Sequence, residues 1–157
     1  MADSYPFSLT IPSELRLLPV ARLFVQAVCQ AGGLEADAVN AVVLAVNEAT
    51  SNVIRHAHRD RPATPLYIQC RFLSDGIEVR VLDEGPAFDL AAVPHLDPAE
   101  VRVGGRGVYL MRQIMDELIS EQRPQGGNIL RMGKRCPRSI LITRERRHWE
   151  CGRRNKP

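Results

Sequence analysis

No run of apolar residues in this chain approaches the roughly 18 to 20 that a membrane-spanning helix needs. The longest, such as Ala41 to Val46, stop far short, so no span is expected. The opening MADSYPFSLTIPSE carries acid at Asp3 and Glu14 and lacks a basic segment followed by an apolar stretch. It does not read as a secretory signal, and a cytoplasmic location is expected. Cys29, Cys70, Cys136 and Cys151 lie far apart with no C-x-x-C pair, which argues for reduced thiols, some of them buried, over zinc or a redox dithiol. His95 and His148 have no ligand-spaced partner, and His56-Ala57-His58 reads as a helix end, so no structural metal is expected. Internal repeats and low-complexity blocks are absent.

What remains is the profile of one ordinary globular domain: 157 residues, 45% hydrophobic and 25% charged. The net charge of +3 is unevenly placed. Arg144 to Pro157 holds six cations and two acids, so residues 1–143 carry −1. A nucleic-acid footprint would spread over a folded face, and a near-neutral body with a basic tail is a weak case for one. The tail reads as solvated, with an acidic partner open to it.

Phe7 to Ile11 (FSLTI) alternates as a short strand, and Ser13 after Pro12 is placed to cap a helix through LRLLPVARLFVQAVCQ. Pro19 would kink that helix or delay its start, and Gly32-Gly33 ends it. A second helix is expected from about Glu35 to His58, where Val39, Val42, Val46, Ala49, Val53 and Ala57 recur every three or four residues. LYIQCRFL and GIEVRVLD flank a tight turn at Asp75-Gly76 and predict a hairpin. From Glu84 to Gly105 the pattern dissolves into a long connection with Pro86, Pro94 and Pro98, the length usual for lids and binding loops. A helix then runs from Val108 to Glu117, followed by strands at ELISEQ, NILRMGK and SILIT. This order predicts an α/β (α+β) two-layer sandwich: a mixed, largely antiparallel sheet covered on one face by helices.

Three stretches hold residues suited to chemistry. At about 100° per residue, Glu48, Asn52 and His56 fall within an arc of roughly 80° beside the apolar face of the second helix. A carboxylate there can accept a proton and a carboxamide oxygen can coordinate a hard cation such as Mg²⁺, although a solvated polar face carries the same residues. Asp83 ends an alternating strand in VLDEGPAFD, and Gly85 permits close approach of backbone and ligand. A carboxylate is acceptor-only and suits an exocyclic amino group such as that of adenine, while a plain strand-ending turn accounts for the same residues. GGRGVYLMRQIMDEL, Gly104 to Leu118, leads glycines into a helix N-terminus, which favours phosphate. It fits neither the P-loop nor the dinucleotide fingerprint, so a flexible hinge stands as the alternative.

In order, Glu-x-x-x-Asn on a helix, Asp-x-Gly-x-x-Phe after a strand and Gly-Gly-x-Gly before a helix resemble the N, G1 and G2 boxes of the histidine-kinase-like (GHKL, Bergerat-fold) ATPases. Within that superfamily, NEATSNVIRHAH, DEGPAFD and GGRGVYLMRQIMDEL are most similar to the small bacterial anti-sigma-factor serine/threonine kinases. The resemblance spans roughly Phe7 to Lys134 and implies an ATP-binding kinase domain over 1–134, with 135–157 a C-terminal extension. It implies ATP and Mg²⁺ as cofactors, and a sigma factor and a STAS-domain anti-anti-sigma protein as partners. Glu48 is then the base, Asn52 the Mg²⁺ ligand and Asp83 the reader of the adenine amino group. Gly85 admits the base, Gly104, Gly105, Gly107 and Val108 form the lid end against the phosphates, and Arg106 meets the γ-phosphate or a partner. Small relatives of this type are commonly dimers, and the first helix with FSLTI offers a face for pairing.

Ala87 and Asn128 depart from the family pattern, which commonly has Gly and Thr at those positions. They keep open a nucleotide-gated binding module that sequesters its partner without phosphorylating it. A detached histidine-kinase catalytic domain is disfavoured, because no phosphoacceptor hairpin precedes the nucleotide-site helix.

Overall fold

The computed structural model describes residues 5–93 and 106–136. Strand β1 (Phe7–Pro12) leads through a 3₁₀ turn (Leu15–Leu17) to helix α1 (Leu18–Ala31) and helix α2 (Ala36–Asn52). Strands β2 (Pro65–Leu73) and β3 (Gly76–Asp83) follow, then a short 3₁₀ turn at Leu90–Ala92, helix α3 (Arg106–Ile114), and strands β4 (Glu117–Gln122) and β5 (Asn128–Arg135). The sheet order is β1-β2-β3-β5-β4. Every pairing among the described strands is antiparallel, so the expected mixture with parallel strands is not seen there.

The predicted alternation decides which residues meet the helices. Leu66, Ile68 and Cys70 of β2, Ile77, Val79 and Val81 of β3, and Met132 of β5 are buried. They join Ala21, Val25, Cys29, Val42, Val46 and Met111 in one core between sheet and helices. Each fully buried Val, Leu or Ile contributes roughly 1.5 to 3 kcal/mol relative to its exposed state, so this layer outweighs any single polar contact. On the other face of the sheet, Glu78 is buried beneath Arg71 and Arg80, and Tyr5 hydrogen-bonds to Glu78 while both guanidinium groups stack on its ring. The described helices contain none long and apolar enough to cross a membrane.

Four local expectations change. Pro19 sits in the first turn of α1, where its missing N–H is no loss, so it delays the helix without kinking it. Ser13 caps no helix; its hydroxyl lies 2.6 Å from Nδ1 of His58. The second helix does not continue as an α-helix to His58: from Val53 to Ala57 it widens into a π-helical turn, closed by the His58 N–H donating to the Val53 carbonyl at 2.8 Å. The third helix ends at Ile114, short of the expected Glu117, because β4 begins there. SILIT, the basic tail and Cys151 lie outside the described residues. Cys29, Cys70 and Cys136 are free and buried, and burial pushes the Cys29 and Cys70 thiols up to about 12.

Candidate active site

A cavity of about 390 Å³ opens between the C-terminal part of α2, the end of β3 and the start of α3. Ala49, Val53, Val108, Met111 and Leu130 give it apolar walls, and Asn52, His56, Asp83 and Asn128 contribute its polar groups. An apolar cleft with a few convergent polar groups is the usual form of a small-molecule site.

One end is built around Asp83, 5% exposed at the end of β3. Its Oδ1 accepts from the Gly85 N–H at 2.7 Å and from Nδ2 of Asn128 at 3.0 Å. Asn128, directly opposite in the β3–β5 register, is 3% exposed and uses its whole carboxamide: Nδ2 also donates to the Pro86 carbonyl, and Oδ1 accepts from the Phe88 N–H. The loop is held from outside too. Arg123 donates to the Asp83 carbonyl, Ser120 to the Phe88 carbonyl, and the Glu84 N–H donates to Nε2 of His58 at 2.9 Å. Gly127, at φ +92°, lies so close that a Cβ would overlap the Asp83 carbonyl. A Cβ on Gly85 would stand 2.5 Å from that of Ala57, so glycine lets the loop pack on the π-helical turn, and Gly85 lies beside the cavity-lining Asp83 and Pro86 without lining the cavity itself.

The other end is assembled by α2 and α3. A Cβ on Gly107 would stand 2.8 Å from Oε2 of Glu48 and 3.3 Å from Nδ2 of Asn52, so glycine lets the first turn of α3 rest on this polar row without displacing the Glu48 side chain. That contact sets the positive end of a helix dipole beside the Glu48 carboxylate. Asn52 lines the cavity and Glu48 does not. His56 also lines it, so the row of Glu48, Asn52 and His56 is a site wall in part and not simply a solvated face. Val108 is buried in the wall, and Arg106 is exposed at the helix start. Gly104 and Gly105 lie outside the described residues. Just before the undescribed segment, Arg112 of α3 donates to the carbonyls of Leu90 and Val93, at 2.7 and 3.2 Å.

Sequence reasoning missed Asn128 as a fully committed loop organiser, together with Ser13, His58, Arg123 and Arg112. Their partners lie far away along the chain and leave no periodic trace, although a buried Asn facing Asp83 across a strand pair follows once the β3–β5 register is known.

The chain has relatives among known proteins. The chain is similar to the serine-protein kinase RsbW of Listeria innocua, 28% identical over 119 residues covering 71% of this chain and 76% of that protein. RsbW of Bacillus subtilis is likewise 28% identical over 116 residues, covering 69% and 72%. The solved RsbU and RsbW domains of Rv1364c from Mycobacterium tuberculosis superpose with a TM-score of 0.59 at 14% identity, over 82% of this chain and 32% of that one, a likeness of fold. The model of the histidine kinase-like ATPase domain matches residues 11–134, and the chain therefore belongs to that family.

Proposed function

We propose that this chain binds ATP·Mg²⁺ in the described cavity and phosphorylates a serine or threonine of a STAS-domain anti-anti-sigma protein, and that it also holds a sigma factor as an anti-sigma switch in the cytoplasm. The observation that carries this reading is the packing of Gly107 on Glu48 and Asn52, which brings the Asn52 carboxamide and a helix N-terminus to one end of a cavity whose other end is Asp83, with the Glu48 carboxylate just behind that wall. The names of the RsbW relatives point the same way.

The donor set fits Mg²⁺ delivered with nucleotide. No group of three or more His, Cys, Asp or Glu among the described residues could cage a metal. Mg²⁺ commonly takes one or two protein oxygens together with waters and substrate phosphates. Asn52 would hold it, and once bound it would neutralise charge on the phosphates. Asp83, with Oδ1 already occupied, offers Oδ2 to the adenine amino group. The first turn of α3 and Gly104 to Gly107 would receive the phosphates. Glu48 takes the proton of the attacking hydroxyl as its oxygen bonds to the γ-phosphorus; the bond to the bridging oxygen breaks and ADP leaves.

A second reading, nucleotide-gated sequestration without transfer, is favoured by one observation: Glu48 rests against α3 and does not line the cavity. Incubating the protein with ATP, Mg²⁺ and candidate STAS proteins separates the two. A mass gain of one phosphate on the antagonist supports the kinase; ATP-dependent complex formation with no mass gain supports the binder. Pairing of two copies through the β1 edge and the exposed Val20 and Leu23 of α1 is a further expectation, checked by solution mass.

A further inference from the structure

His58 is 1% exposed and makes two hydrogen bonds that fix its protonation. The Glu84 N–H can only donate, so Nε2, 2.9 Å away, must be the acceptor and carry no proton. The proton of the neutral ring therefore resides on Nδ1 and is donated to the Ser13 hydroxyl at 2.6 Å. One ring thus ties the turn after β1 and the end of the π-helical segment to the backbone between Asp83 and Gly85.

We propose that His58 is a positioning residue for the adenine-reading loop: neutral and protonated on Nδ1, it holds the Glu84 amide in place, and adenine nucleotide affinity falls when the ring gains a second proton. The proposal rests on the nucleotide reading of the cavity. Adding a proton to Nε2 would set two N–H donors against each other in a buried site, so the loop must shift or the ring must leave. The charged groups acting on the ring are Asp83 and Glu84 from the β3 end, which favour the imidazolium, and Arg61 from the turn after the π segment, which opposes it. Desolvation is larger than any of these and holds the ring below the ordinary value of 6.5. The sign follows: a lowered value in the folded state means the neutral ring supports the loop in full above about pH 6.5, and support is lost as pH falls towards the lowered value.

The full chain is titrated with an ATP analogue carrying a fluorescent group on the ribose, from about pH 8 to about pH 5, where histidines change charge. Wild type and His58→Gln are compared, because glutamine keeps an acceptor for Glu84 and gains no proton; protonation of the nucleotide itself acts on both alike. Wild type should lose about tenfold more affinity than His58→Gln over this range, the scale of a buried donor left unpaired. Identical pH profiles would overturn the proposal. Long-range ¹H–¹⁵N spectra of the nucleotide-free wild type supply a readout needing neither variant nor ligand. They should show Nε2 unprotonated at neutral pH, with the Glu84 amide resonance moving as His58 titrates. A ring protonated on Nε2 at neutral pH, or a Glu84 amide indifferent to that titration, also overturns it. Absence of nucleotide binding at every pH would instead sink the functional reading, leaving the loop's dependence on His58 to be decided by the spectra.

Discussion

The two ends of the cavity are built differently. At the Asp83 end, the polar backbone of residues 83–88 is satisfied by side chains from β4, β5, the β4–β5 turn and His58. At the Glu48 end, the polar row packs against the first turn of α3 at Gly107, and the chain leading into that turn lies outside the described residues. On the nucleotide reading proposed above, the first end would receive a flat, rigid group in one position, while the second would hold groups whose partners arrive with the ligand. Preorganisation at the Asp83 end would then lower the ordering cost of binding, a benefit available only where the ligand has one shape.

This contrast can be tested by removing one support at a time. The largest effect is expected from Glu48→Ala, which should reduce phosphate transfer by about 10² to 10⁴, the usual weight of a general base, and leave nucleotide affinity nearly unchanged. Transfer to the antagonist at the wild-type rate would remove Glu48 from that role. Asn52→Ala should cost about 10- to 100-fold in Mg²⁺-dependent nucleotide affinity, measured by calorimetry with and without the metal, with little change in the metal-free value. Asn128→Ala strands the Phe88 N–H and one Asp83 interaction. It should lower stability by roughly 1 to 3 kcal/mol and weaken discrimination of ATP from GTP, both read from thermal melts with each nucleotide. Unaltered discrimination would place base reading elsewhere. Arg112→Ala, which releases the Leu90 and Val93 carbonyls at the cavity rim, should change nucleotide affinity only about two- to threefold, in keeping with part-buried bonds that water can replace.

How much of this was legible in the sequence follows the same division. Strands and helices came through because Val39, Val42 and Val46 on α2 and Ile77, Val79 and Val81 on β3 repeat with the period of their element. Asp83 and Gly107 stood out through their turn and glycine chemistry. The interior supports did not. Asn128 stands out in the sequence only as a departure from the family pattern, and only the cross-strand register brings it to Asp83. Ser13 reads as a helix cap because the local alternatives for a serine after a strand are capping or solvent; its actual partner is 45 residues away. Spacing also could not show that Gly85 makes room for Ala57, since a missing Cβ does not say which neighbour needs the room.

The π-helical turn at Val53–Ala57 acts as a phase shift in the reading of one helix. Had the α-helix continued at about 100° per residue, five steps from Val53 would have turned the next backbone about 140° away. The i to i+5 bond instead stacks His58 on Val53, whose side faces the core. Glu48 and Asn52 are therefore written in one helical register and His58 in another, and the seam between them lies at the cavity. Removing one residue from this segment would return the helix to a single register and carry His58 off its partners, although the deleted residue need not touch nucleotide, Ser13 or Glu84. Tolerance to length change should accordingly be lower here than anywhere else on α2, a property of counting and not of any side chain.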